Sequence, residues 1–130
     1  MYEWRSHTAE IELAIEAETE EQVFVDALAA FRELVALESD AASETRAVAL
    51  EASDRASLLV EWLQELIFLA DSESFVAQRA DDLRLEDASL SATLVGARAS
   101  FEPLVKAATY HGLRFAREGD IWQARVVLDV

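Results

Sequence analysis

Apolar and charged residues alternate with period two over residues 10–18. Ile11, Leu13, Ile15 and Ala17 fall on one side, Glu10, Glu12, Glu16 and Glu18 on the other. This pattern predicts a half-buried strand with Glu10 at its start, on the face away from the core side chains. Thr19-Glu-Glu-Gln22 follows as a capping box, with two acids in the first turn where the helix dipole favours them. The predicted helix puts Phe24, Ala27, Leu28, Phe31, Leu34 and Val35 on one stripe and ends near Leu37 or Glu38. A second helix over 55–70, capped by Ser53 or Asp54, carries Leu58, Leu59, Trp62, Leu63, Leu66, Ile67 and Leu69. That band is wide enough for burial on more than one side, and Trp62 within it reads as core.

The remaining segments read as strands. Residues 2–6 form a short one, and 45–52 a weaker one, because its alanines give little contrast between faces. Residues 75–85 and 89–98 flank a turn at Glu86–Asp87–Ala88, while 39–44 and 99–104, the latter with Pro103, read as loops. The chain then closes on a hairpin. Leu113 and Phe115 share one face of 113–118, with Arg114 and Ala116 on the other. Gly119–Asp120 supplies the tight turn, since glycine tolerates positive φ. The return strand sets Trp122, Ala124, Val126 and Leu128 against Gln123, Arg125, Val127 and Asp129. The order β-β-α-β-α-β-β-β-β predicts an α+β fold, a mostly antiparallel sheet with two helices packed on one side.

At 130 residues, with about half of them apolar, the chain suits one domain with one core, residues 1–130. Cysteine is absent, which excludes disulfides, thiolate catalysis and zinc–sulfur sites. No apolar run is long enough to span a bilayer, and MYEWRSH has no signal-peptide shape, so the cytoplasm is the expected location. Acidic residues outnumber basic ones by 26 to 11, a formal charge of −15. Such a field repels phosphate backbones and anionic membranes, so neither direct nucleic-acid binding nor membrane binding is expected. Cations and basic protein surfaces are the favoured partners.

Catalytic signals are missing. No serine sits in a nucleophile-elbow context and no glycine-rich loop could cradle phosphates. His7 and His111 match no metal-ligand spacing and read first as structural, as Tyr110 does in pinning the hairpin. Glu61 and Glu65, one helical turn apart, read as surface charge. The end of the chain is different. With Val130 as the native terminus, its α-carboxylate neighbours the Asp129 carboxylate at the end of an apolar strand. Two such anions repel, and a hard cation would relieve them. From the residues alone, a solvated, frayed tail is the plainer reading.

Three stretches narrow the choice: HTAE at 7–10, LLVEWLQELIFLADSESFV at 58–76, and the terminal segment KAATYHGLRF (106–115) with ARVVLDV (124–130). In order and content they resemble the archease family, small acidic proteins that assist the RtcB-type RNA ligase. The resemblance implies a fold of nested strand–helix–strand–strand modules. It also implies a calcium-type site made by the acidic residue after HTA, the penultimate aspartate and the terminal carboxylate. On this chain those are Glu10, Asp129 and Val130, holding a divalent cation: Ca2+ first, with Mg2+ or Mn2+ as alternatives. His7, Lys106, Tyr110 and His111 would contact the partner or support the ligands. Two departures stand out. Position 10 is Glu where the family carries Asp, and the loop before Lys106 is shortened.

The resemblance implies a protein that makes no bond itself. It would speed guanylylation of an RtcB-type RNA ligase and support multiple turnover in tRNA splicing or RNA repair. The alternative is a chaperone-like interaction module serving another RNA-modifying enzyme.

Overall fold

The computed structural model describes residues 1–7, 10–35, 44–99 and 105–130. Nine elements follow in the expected order: β1 (Tyr2–His7), β2 (Glu10–Ala17), α1 (Glu20–Leu34), β3 (Glu44–Glu51), α2 (Arg55–Glu73), β4 (Phe75–Glu86), β5 (Ser89–Arg98), β6 (Ala107–Glu118) and β7 (Ile121–Asp129). The fold is α+β, and every strand pairing is antiparallel. The strands divide between two sheets, in the orders β1-β2-β7-β6 and β3-β5-β4. Alternation within a strand shows which side is buried but not which sheet the strand joins, so this division is visible only in the structure.

Both helices start as their caps require. The Thr19 hydroxyl accepts the Gln22 N–H at 3.1 Å, and the Asp54 carboxylate accepts the Ser57 N–H at 2.7 Å. Helix α1 ends at Leu34, a turn short of the predicted Leu37 or Glu38, with Val35 as C-cap. The expected loop at 39–43 lies outside the described residues, as does that at 100–104; Glu44, read as loop, opens β3. Helix α2 runs to Glu73, past the predicted Ala70. Asp71, Ser72 and Glu73 do not break a helix, and Ser74 ends it in the left-handed conformation at φ 55°.

Each helix packs against both sheets, α1 chiefly on β2 and β4, α2 on β6 and β4. One buried cluster joins Leu13, Ile15, Phe24, Leu58, Trp62, Phe75, Leu94 and Leu128. Trp62 is fully buried, and its indole N–H donates to the Phe24 carbonyl at 3.0 Å, locking α2 to α1. This layer sets Ile11, Leu13 and Ile15 opposite Leu128, Val126 and Ala124 on the core side, so Glu10, Glu12, Glu16, Gln123, Arg125 and Asp129 fall on the other face.

Strand β6 starts at Ala107, six residues before the predicted Leu113. Its register with β7 shifts between Thr109 and Arg114, where Gly112 takes φ 65°. That bulge interrupts the period-two pattern and hides the first half of the strand. Past it the faces follow the reading: Phe115 opposes Ala124, and Gly119 turns the hairpin at φ 62°.

Candidate metal centre

The inward side chains of β2 and β7 fix the register, because a slip of one residue would turn Leu13 and Val126 into water. That register sets Glu10 directly opposite Asp129. It extends across the four-stranded sheet: His7 pairs with Glu10, Glu10 with Asp129, and Asp129 with Ala107. Cross-strand partners point to the same face with Cα atoms about 4.5–5.5 Å apart. Two carboxylates more than 100 positions apart in the chain therefore meet at the end of one sheet. Both are half-buried, and Val130 follows Asp129 directly.

The arginines nearest in register are engaged one row further along. Arg5 reaches Glu12 at 3.6 Å and Arg125 reaches the same carboxylate at 4.0 Å. Glu12, together with Glu3 at 3.4 Å from Arg5, thus holds the two nearest cations. Among the described residues no ion pair involves either member of that pair. Among the described residues no group of three or more His, Cys, Asp or Glu side chains comes together either. A hard dication takes six to eight oxygens. Two side-chain carboxylates match its preference for oxygen and charge, and leave the rest of the shell to a main-chain carboxylate, water or a partner.

Of the other predicted residues, His7 ends β1, Lys106 immediately precedes β6, and Tyr110 and His111 lie within it. The Lys106 N–H donates to the Asp129 carbonyl at 2.9 Å, which ties the entry of β6 to the row, while its side chain is exposed. Tyr110, His111 and Gly112 form the exposed bulge. The Tyr110 hydroxyl donates to Glu61 of α2 at 3.0 Å, so it is committed to the helix side of the sheet, away from Glu10 and Asp129. That bond holds the phenol above its usual range, helped by partial burial and the charges of Glu61 and Asp54. Thr109 and Gln64 complete the fastening. The Thr109 hydroxyl donates to the Val127 carbonyl at 3.0 Å, and Gln64 of α2 accepts the Ala108 N–H at 3.2 Å.

Two functional-looking acids escaped the sequence reading. Glu12, in the charged row of β2, looked like one solvated acid among several. Glu61 looked like loose surface charge, and only the three-dimensional approach of β6 to α2 makes it the acceptor for Tyr110.

Comparison with known proteins identifies the family and the fold. The family model described as the Archease protein family matches residues 2–130. Relatives named "Protein archease" include that of Methanosarcina barkeri, 34% identical over 99% of this chain and 95% of its own length. That of Pyrobaculum neutrophilum is 32% identical over the same shares. A solution structure of a Methanobacterium thermoautotrophicum protein superposes with a TM-score of 0.78 at 30% identity, covering 99% of this chain and 98% of that one. A Thermotoga maritima structure described as "an archease, possible chaperone" gives 0.71 at 24% identity over 100% and 98%, a likeness of fold.

Proposed function

The chain belongs to the archease family, and on that premise we propose that it activates an RtcB-type RNA ligase and makes no bond itself. The observation that carries this reading is the Glu10–Asp129 pair, a two-carboxylate end of a sheet whose neighbouring arginines are held by Glu12. Glu10, Asp129 and the α-carboxylate of Val130 would hold a divalent cation, Ca2+ foremost. When bound, that cation supplies concentrated positive charge at a protein surface that is otherwise strongly acidic. Glu in place of the family's Asp at position 10 keeps the charge and lengthens the reach by one methylene.

The chain's own residues do the rest. A formal charge of −15 draws the protein to a basic, RNA-binding enzyme and away from RNA itself. Lys106 fixes the position of Asp129 through its backbone, and β6 carries Tyr110 and His111 outward from the same end. The family likeness implies that the step assisted is guanylylation of the ligase's active-site histidine. The coarser reading, a chaperone-like protein acting on a protein partner, agrees with the description of the Thermotoga maritima structure.

The test is a multiple-turnover RNA ligation with limiting RtcB-type ligase, GTP and metal. Product beyond one turnover should depend on this protein, and Asp129→Asn should lose most of the stimulation. Equal turnover with and without the protein contradicts the proposal. Recovery of a different RNA-modifying enzyme as the stably bound client would move the function to the coarser reading.

A further inference from the structure

The Glu10–Asp129 end leaves another exposed region unaccounted for. Helix α2 buries most of its circumference, yet Phe68 is 54% exposed on its outer side. Residues 61, 65 and 68 recur at helical spacing, so Glu61, Glu65 and Phe68 form one outward stripe. Tyr110, 55% exposed, is held beside that stripe by its hydrogen bond to Glu61. Two large aromatic groups thus stand in solvent with carboxylates between them.

Helix physics alone would not choose these residues. Like charges four apart repel, and α2 has no basic residue in its last turn, where Asp71 and Glu73 oppose the dipole. Glu73 is neutralised by Arg46 at 3.1 Å. Glu61 and Glu65 have no such cation among the described residues. The Glu65 carboxyl is pushed above its ordinary value by burial first, then by the charges of Glu73 and Glu61. A basic group brought from outside would relieve that repulsion, and exposed aromatic rings offer faces for guanidinium groups.

We infer that the outer face of α2, with the Tyr110–His111–Gly112 bulge of β6, is a docking surface for an arginine- or lysine-rich segment of a partner protein. The stripe Glu61–Glu65 receives the charges, and Phe68 and Tyr110 receive the aliphatic stems or guanidinium planes. The identification of that partner as the ligase rests on the function proposed above; the surface itself rests on its own charge and exposure. From Ala107, level with Asp129, to Tyr110 is about 10 Å along the strand. A segment docked here occupies the helix side of the sheet and leaves the Glu10–Asp129 pair, on the other side, free to take a cation.

The experiment pairs two probes. Affinity for a purified RtcB-type ligase is measured for the wild type, Glu61→Gln/Glu65→Gln, Phe68→Ser, and Glu51→Gln/Glu86→Gln as a control with the same change of net charge elsewhere. Amide shifts of the wild type are recorded on titration with a nine-arginine peptide. The α2 variants should lose roughly tenfold in affinity, while remaining folded with cation binding unchanged, and the control binds as wild type. The peptide should shift residues 61–68 and 109–112 most. Ligase binding unaffected by Glu61→Gln/Glu65→Gln and Phe68→Ser overturns the surface and leaves the proposed function standing. A wild type that neither binds nor stimulates the ligase overturns that function. In that case the peptide decides the surface: shifts centred on α2 and the bulge uphold it, and shifts centred elsewhere overturn it.

Discussion

Two sheet ends carry clustered carboxylates and treat them in opposite ways. At the end of the three-stranded sheet, Glu44 and Glu73 are bracketed by arginines. Arg46 reaches Glu73 at 3.1 Å and Glu44 at 3.3 Å, and Arg98 reaches Glu44 at 3.0 Å. Arg46 also lies over the Phe75 ring at 4.7 Å and donates to the Thr45 carbonyl. At the end of the four-stranded sheet, Glu10 and Asp129 face each other while Arg5 and Arg125 turn to Glu12. The first cluster is completed by the chain's own cations and serves stability. The second is left short of positive charge, which is the condition for taking a cation from outside.

The contrast breaks most sharply at Arg46. Arg46→Met should cost about 1–2 kcal/mol, because it leaves the exposed Glu73 without its cation and Glu44 with Arg98 alone, and removes the contact over Phe75. Urea denaturation checks this, and a loss under 0.5 kcal/mol would erase the distinction between the two ends. Asp129→Asn should act with the opposite sign. In chelator it removes a cross-strand repulsion and stabilises by about 0.5 kcal/mol, while in Ca2+ the wild type regains the advantage. An Asp129→Asn protein less stable than wild type in both conditions would show that the pair is satisfied internally. Extension of the chain beyond Val130 should weaken cation binding without changing stability in chelator, by removing one anionic ligand. Unchanged affinity takes Val130 out of the ligand set.

The smallest effect concerns Glu65. Its folded pKa is raised, so its favourable contribution is fully present below the ordinary Glu value of 4.5 and is lost as pH rises through the folded value. Glu65→Gln should remove that decline and leave the protein about 0.3 kcal/mol more stable at pH 7, a figure kept small by solvent screening. Denaturation at pH 4 and pH 7 measures the difference. An unchanged dependence on pH would mean that the repulsion with Glu61 and Glu73 is already relieved.

The fold was legible wherever one face of an element is uniformly apolar. Ile11, Leu13 and Ile15 gave β2, and Trp122 to Leu128 gave the faces of β7, because period-two burial writes itself into the residues. The first half of β6 was not legible, since the bulge at Tyr110 to Leu113 breaks the alternation there. Nor was the end of α2, where Asp71 to Glu73 resemble a loop but continue the helix to the cap at Ser74. The meeting of Glu10 with Asp129 lies beyond any local pattern. It depends on how β2 and β7 pair across almost the whole chain, and only the likeness of HTAE and the terminal segment to a family pointed to it. Glu61 had no such pointer, because its role exists only once β6 lies against α2.

Cation stoichiometry is the most direct measurement of the open sheet end. Calorimetric titration of Ca2+ into chelator-treated protein ending at Val130 should show one site, lost in Glu10→Gln and in Asp129→Asn while both variants stay folded. A wild type with no site, or an Asp129→Asn protein that binds Ca2+ as well as the wild type, would contradict it.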